Sequence, residues 1–313
     1  MLAMIKKHRD HRYTQLVADA FASPDNEVHR TIKHRAAQWM GLQRTWRPAR
    51  LRRAFLHRVL KAVRARSREN LDLSLGYCPV GIANIQIECF ASDSNTASVY
   101  LYGFSDNLPI FDVYKRHVRP GSATVDVGAN VGIHSLIMAN LVGTGGKVHA
   151  YEPAPSIFER LLRNIQFNQC SNINARNVAA SNQICAIGFA DVSDRANIGQ
   201  SHVDPSATTT VQSVTLDSEL MREDSISLIK VDVEGHELEV LKGAQEILSV
   251  HRPAVVLEFN GESYSITDLC RSFPYPIDVF RIPSTYYERI VRLNLRRTAT
   301  EGTVFNALIT PAS

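Results

Sequence analysis

The feature that most constrains this chain is an alternation. Short, nearly continuous apolar segments ("ATVDVG", "KVHAYE", "INARNVA", "SLIKVDV" and "AVVLEF") are separated by stretches of helical period such as "GIHSLIMANLV", "APSIFERLLRNIQFNQ" and "GHELEVLKGAQEILSV". Strands apolar on both faces and alternating with amphipathic helices predict an α/β fold, a mostly parallel sheet covered by helices on both sides. Between the third and fourth segments, residues 184–217 read as β-like or irregular. Near the end, "IDVFRI" and "TVFNALIT" predict two more strands at an antiparallel edge. Ahead of this core, "IANIQIECFASDSNTASVYLYG" predicts two short strands around a polar turn, and Ile110–Val118 predicts a helix closed by "RPGS".

In an open parallel sheet, ligands gather outside the carboxyl ends of the strands. Four of the five segments finish there in acids or amides: Asp126 with Gly128 and Asn130, Glu152, Asp232 with Glu234, and Glu258 with Asn260. Packing alone does not call for such endings, although any one carboxylate could cap a helix. The loop "GANVG", Gly128–Gly132, lacks both the third glycine of a dinucleotide fingerprint and the Lys-Ser/Thr ending of a phosphate loop. Glu152 nevertheless stands where an acid that accepts ribose hydroxyls is expected. A nucleoside without phosphates, with an ammonium-bearing tail near Asp126, suits this pattern. S-adenosylmethionine has both parts.

The blocks "DVGANVGIHS", "VHAYEPAPSIFERLLRNIQFN", "SVTLD", "IKVDVEGHELEVLKGAQEIL" and "PAVVLEF" together resemble the FkbM family of S-adenosylmethionine-dependent methyltransferases, across roughly Val113–Asn260. The resemblance implies a class I methyltransferase fold: a Rossmann-like sheet of seven mostly parallel strands, the last antiparallel. It implies O-methylation of a hydroxyl on a sugar, glycan or natural product. Carried over by motif position, Asp126, Gly128, Asn130 and Gly132 would line the methionine end of the cofactor, Glu152 its ribose, and Val178 to Ala180 (Val178 and Ala179 foremost) its adenine. "FDVY", Phe111–Tyr114, departs from the Tyr-Glu pair found in many members, so no cofactor role is assigned there.

Methyl transfer from a sulfonium is an in-line displacement, and a protonated sugar hydroxyl is a poor nucleophile. A positioned base or a metal that lowers its pKa should therefore assist. Asp232, Glu234, His236 and Glu258 are the candidates for the base, with Asp232 or His236 preferred. The second mechanism places a divalent cation on Asp232, Glu258 and Asn260, since hard cations prefer oxygen ligands. Glu234 could instead cap the following helix, His236 and Glu237 could sit in its first turn, and His134 could pack in the first helix of the core. Lys230 is expected to partner these acids, because a lone buried lysine is costly.

Charge divides the chain. Residues 1–70 hold 17 Lys and Arg against 5 Asp and Glu, and the remainder 18 against 26. Residues 1–75 are therefore read as a basic helical arm and 76–313 as the methyltransferase domain, with its motif core at 113–260. In the arm, Leu51, Phe55, Leu56, Val59, Leu60 and Val63 form an apolar stripe opposite arginines. That helix can pack on the domain or meet an anionic membrane surface. Without interleaved aromatics or a reading motif, no nucleic-acid partner is expected. The five cysteines form no C-x-x-C pair and no long apolar run is present, which suits a cytoplasmic protein without a membrane span. Two rival functions remain at this point: a nicotinamide-dependent sugar oxidoreductase, and a non-enzymatic binding module on a degenerate methyltransferase fold.

Overall fold

A computed structural model describes residues 74–80, 85–90, 93, 96, 99, 108–191, 201–282, 290–293 and 303–312. The chain divides into two compact units, one of residues 1–105 with 194–198, the other of residues 106–193 with 199–313. The expected arm lies outside the described residues apart from Ser74 and Leu75. Those two belong to β1 (Ser74–Val80), which pairs antiparallel with β2 (Ile85–Phe90). The hairpin is therefore not the one expected. The partner of β2 precedes it in sequence, while Val99, placed by the pattern on a second strand, and Thr96, placed in the turn, are helical. A local bond network explains the departure: Asp93 accepts from both Nα and Oγ1 of Thr96, and Thr96 accepts from the Phe90 amide. An acid three residues ahead of a bonded amide starts a helical turn more readily than a strand.

The second unit opens with α1 (Leu108–His117), whose last turn carries Lys115, Arg116 and His117 at the negative end of its dipole. Then follow β3 (Ala123–Val127), α2 (Ile133–Val142), β4 (Lys147–Tyr151), α3 (Pro155–Phe167) and β5 (Ile173–Arg176). Proline at the first position of α3 starts that helix without losing a needed donor. The segment 184–217, read as β-like or irregular, supplies β7 (Ala186–Ala190), β8 (His202–Val203) and β9 (Thr210–Val214), which join β6 (Ala179–Ala180) in a separate four-stranded sheet ordered β6-β9-β7-β8. Thr215 caps α4 (Leu216–Leu220) by accepting from the Ser218 amide.

After β10 (Ile226–Val231), the helix expected over "GHELEVLKGAQEILSV" is two: α5 (Glu237–Lys242) and α6 (Gln245–His251). The break has a steric cause. At Gly243 a Cβ would lie 2.0 Å from the Ser181 carbonyl oxygen, so the chain turns where another backbone crosses it. The unit closes with β11 (Ala254–Asn260), α7 (Ile266–Arg271), β12 (Ile277–Arg281), β13 (Val291–Arg292) and β14 (Val304–Pro311).

The main sheet is ordered β13-β12-β14-β11-β10-β3-β4-β5. Pairings among β11, β10, β3, β4 and β5 are parallel, while β14 runs antiparallel to both β11 and β12. Setting aside the two-residue β13, this is the seven-stranded class I methyltransferase order with its last strand reversed. The expectation of two terminal strands at an antiparallel edge is met by β12 and β14, of which β14 is the inner strand, between β11 and β12. Its long register with β11, from Val304 to Ile309, buries Ala307, Leu308 and Ile309 as an internal strand requires. Chain order reverses between β3 and β10. The crevice above that seam is where a ligand is expected.

Candidate active site at the carboxyl edge

The loop after β3 is shaped by left-handed residues: Gly128 at φ +75°, Asn130 at +51° and Gly132 at +92°. At both glycines the space a Cβ would take is filled by protein. A Cβ on Gly128 would stand 1.9 Å from the Asp232 carbonyl oxygen, and one on Gly132 would meet Leu161 Cδ1 at 2.5 Å. These side chains are absent so that β10 and α3 can press against the loop. The loop is also sewn to β4, since the Gly128 and Ala129 amides both donate to the Tyr151 carbonyl at 3.0 Å. Asn130 turns its Oδ1 to the Val131 amide, and its own amide donates to Glu152 Oε2 at 2.8 Å.

Glu152 thus sits beside the loop, as expected. Its Oε1 accepts a second bond from the Ala154 amide at 2.9 Å. Burial pushes its carboxyl up to about 7; those two amides and Lys230 hold it down against burial and the Asp126 charge. Each oxygen is engaged once, which leaves a lone pair on each for a further donor.

Asp126 takes a different place from the one the sequence suggested. It is wholly buried, its Oδ2 accepts from Ser135 Oγ at 2.5 Å, and its Oδ1 lies 3.2 Å from Lys230 Nζ. In this conformation both carboxylate oxygens are turned to protein groups, Oδ2 to Ser135 and Oδ1 to Lys230. Lys230 is the expected partner of the acids. Its ammonium also lies 3.5 Å from Asp232 Oδ2 and donates to the Gly128 carbonyl at 3.2 Å. Burial pulls the lysine down, but Asp126 and Asp232 outweigh it and hold the group above its ordinary range.

At the ends of β10 and β11 stand Asp232, Glu234 and Glu258. Asp232 is 39% exposed. Glu258 is half-buried, and its carboxyl is pushed up to about 7, by burial first and then by the charges of Asp232 and Glu234, with Lys230 acting in opposition. Glu234 is exposed and holds the left-handed region at φ +53°, next to Gly235 at +100°. Partial desolvation, Asp232 and Glu237 raise its carboxyl. It is not the N-cap of α5, a position held by His236. The buried Glu237, at the start of that helix, braces the turn ahead of it, its Oε1 accepting from the Gly235 amide at 3.1 Å and the Val233 amide at 3.4 Å.

His236 precedes α5, and its Nε2 is 2.9 Å from Ser181 Oγ, which diverts one ring nitrogen from an acceptor hydroxyl. The cation site expected on Asp232, Glu258 and Asn260 is not supported. Asn260 Oδ1 accepts from the Glu262 amide at 3.0 Å, and among the described residues no three His, Cys, Asp or Glu side chains are grouped to hold a metal. Val178 and Ala179 lie beyond β5, not on it: Val178 packs on the apolar core and Ala179 is buried in the small sheet. Phe111 and Tyr114 pack on His134, with the Tyr114 hydroxyl 2.9 Å from His134 Nδ1. Sequence reading passed over Ser135 and the Tyr114–His134 pair. Ser135 could have been found as the hydroxyl nine positions after Asp126 on a mainly apolar helix.

Residues 126–281 match the methyltransferase FkbM domain. Those residues belong to the FkbM methyltransferase family. Among relatives, the FkbM region of this chain is similar to hexuronic acid methyltransferase AglP of Haloferax volcanii, 36% identical over 126 residues that cover 39% of this chain and 50% of AglP. It is also similar to 31-O-demethyl-FK506 methyltransferase FkbM of Streptomyces tacrolimicus, 46% identical over 54 residues, 16% of this chain and 20% of that one. This chain therefore spans half or less of the curated relatives it matches. Among solved structures it is similar to methyltransferase FkbM from Methylobacillus flagellatus (18% identity, TM-score 0.38, 69% of this chain and 54% of that one). A SAM-dependent O-methyltransferase from Thermotoga maritima is a second (16% identity, TM-score 0.35, 66% and 65%). Among the described residues no helix is long and apolar enough to cross a membrane.

Proposed function

We propose that this chain is an S-adenosylmethionine-dependent O-methyltransferase whose acceptor is a hydroxyl of a sugar, glycan or natural product. One observation carries the reading: a ribose-competent acid, Glu152, and an acid raised to about 7, Glu258, lie along a single carboxyl edge on either side of the switch point. The free lone pair on each Glu152 oxygen fits a vicinal diol. When bound, S-adenosylmethionine supplies an electrophilic methyl group on a sulfonium. Glu258 is assigned as the base, replacing the earlier preference for Asp232 or His236. An acid titrating near neutrality combines an ionised form with useful basicity, whereas His236 is held by Ser181. Glu258 accepts the hydroxyl proton as the acceptor oxygen attacks, and Asp232 keeps the side of β10 negative.

AglP acts on a hexuronic acid, which offers both hydroxyls and a carboxylate. For this chain the hydroxyl is favoured. Asp232, Glu234 and Glu258 gather on one rim, and a substrate carboxylate brought beside them would be repelled. The test is a methyl-transfer screen with labelled S-adenosylmethionine on p-nitrophenyl β-D-glucoside and p-nitrophenyl β-D-glucuronide. Alkali-stable label on either acceptor is expected, since an ether survives base. Label released by mild alkali would mean a methyl ester and overturn the hydroxyl assignment. Binding of S-adenosylhomocysteine without transfer to any acceptor would favour the non-enzymatic module. Affinity for reduced nicotinamide cofactor with none for S-adenosylhomocysteine would favour the oxidoreductase.

A further inference from the structure

Lys230 has more partners than a buried cation needs. It is 4% exposed, lies on β10 in register with Asp126 on β3, and faces three oxygens: Asp126 Oδ1 at 3.2 Å, the Gly128 carbonyl at 3.2 Å and Asp232 Oδ2 at 3.5 Å. Asp126 explains the charge, because a wholly buried carboxylate is tolerated only when paired. Asp232 does not. It is 39% exposed, so water would solvate it without help. Tying such a group to a buried ammonium confers little stability but removes its freedom to rotate. The third partner, the Gly128 carbonyl, belongs to the loop expected to receive the methyl donor. One ammonium therefore touches the donor loop and the acid next to the proposed base, across the two strands that flank the switch point.

We propose that Lys230 is a positioning residue for methyl transfer, its ammonium locking the Asp232 carboxylate and the Gly128 carbonyl into one fixed mutual geometry. This rests on the methyltransferase reading above. The ammonium donates to the Gly128 carbonyl and stands at ion-pair distance from both carboxylates, and arginine or methionine cannot reproduce that arrangement: arginine keeps the charge with a longer planar fork, methionine keeps only the volume.

The test compares wild type, Lys230→Met, Lys230→Arg and the double variant Asp126→Asn/Lys230→Met. Lys230→Met leaves Asp126 buried without a partner and is expected to lower the thermal midpoint. The double variant removes both charges and is expected to recover that midpoint. With the faster of the two p-nitrophenyl glycosides, kcat of the double variant should stay at least tenfold below wild type, while KM for S-adenosylmethionine changes less than threefold. Lys230→Arg should recover part of kcat. Recovery of kcat along with the midpoint in the double variant would overturn the proposal, leaving Lys230 as a counter-ion for Asp126 only. A crystal structure of the double variant adds a readout independent of turnover: an Asp232 carboxylate and Gly128 carbonyl unmoved from wild type would also overturn it. If wild type binds no S-adenosylhomocysteine, the methyltransferase reading fails, yet the crystallographic comparison still decides whether Lys230 positions these groups.

Discussion

The two sides of the switch point handle charge in opposite ways. On the β3–β4 side, Asp126 is matched by Ser135 and Lys230, Glu152 accepts two amides, and the glycines are filled by neighbouring protein atoms. On the β10–β11 side, Asp232, Glu234 and Glu258 share a partly exposed rim on which Asp232 raises both glutamates and Glu234 raises Glu258, while Lys230 acts against this at Glu258 and His202 at Glu234. The first side is finished by the fold, so its geometry is set before any ligand arrives. The second keeps like charges together at a cost in stability. That pattern belongs to a place where chemistry, and not packing, selected the residues.

The comparison breaks most sharply at Gly128. Gly128→Ala puts a methyl group 1.9 Å from the Asp232 carbonyl at a φ of +75°, so strand and loop must separate. A loss of about 3 kcal/mol or more is expected in urea unfolding, from left-handed strain and the clash together. A variant as stable as wild type would show that the loop is not preformed.

Next in size is Glu258→Gln. Removing a general base should lower kcat by about a hundredfold at pH 7. The wild-type rate should rise with pH through about 7, the value to which burial and its neighbours push this acid. Stability carries the opposite sign. Because the folded value lies above the ordinary 4.5, Glu258 favours the fold only below that ordinary value, and its contribution is lost as pH rises through about 7. Glu258→Gln should therefore gain stability relative to wild type between pH 5 and pH 8. Equal urea midpoint differences at the two pH values would remove Glu258 from the strained rim.

This division was only half legible in the sequence. Strand ends could be counted, because parallel strands buried on both faces read as apolar runs and their polar endings stand out; Glu152, Asp232, Glu234 and Glu258 were found that way. The partners of those endings were not readable. Asp126 looked like a ligand-facing acid because Ser135 lies on the next helix and Lys230 lies 104 positions later on a neighbouring strand. Gly128 suggested a cradle because sequence says that a side chain is missing, not what occupies its place. The order of β12 and β14 within their edge was unreadable for a related reason: "TVFNALIT" has the pattern of a strand, but whether it lies inside or outside "IDVFRI" depends on which distant strand it pairs with.

Glu152 tests the finished side directly. Glu152→Ala should weaken S-adenosylhomocysteine at least tenfold in calorimetry, since losing hydrogen bonds to a charged group costs about 1.5–3 kcal/mol. Part of that loss would come through the Asn130 amide, left without its acceptor. Glu152→Gln retains an acceptor oxygen and should fall between the two. An Ala variant that binds as wild type does would strip Glu152 of the ribose role.

The smallest expected effect separates the two sides by stability alone. Glu234 holds φ +53° without a capping role, on the surface, among acids. A non-glycine residue in that region costs about 1 kcal/mol, and replacement by glycine relieves it, less the added freedom of the unfolded chain. Glu234→Gly should therefore stabilise the protein by about 0.5 kcal/mol, while raising KM for the glycoside acceptor a few-fold if the rim faces it. A matched change on the finished side, Gly132→Ala at φ +92°, should destabilise instead, because Leu161 already occupies the space. If both substitutions moved stability in the same direction, the contrast between a satisfied side and a strained one would be lost.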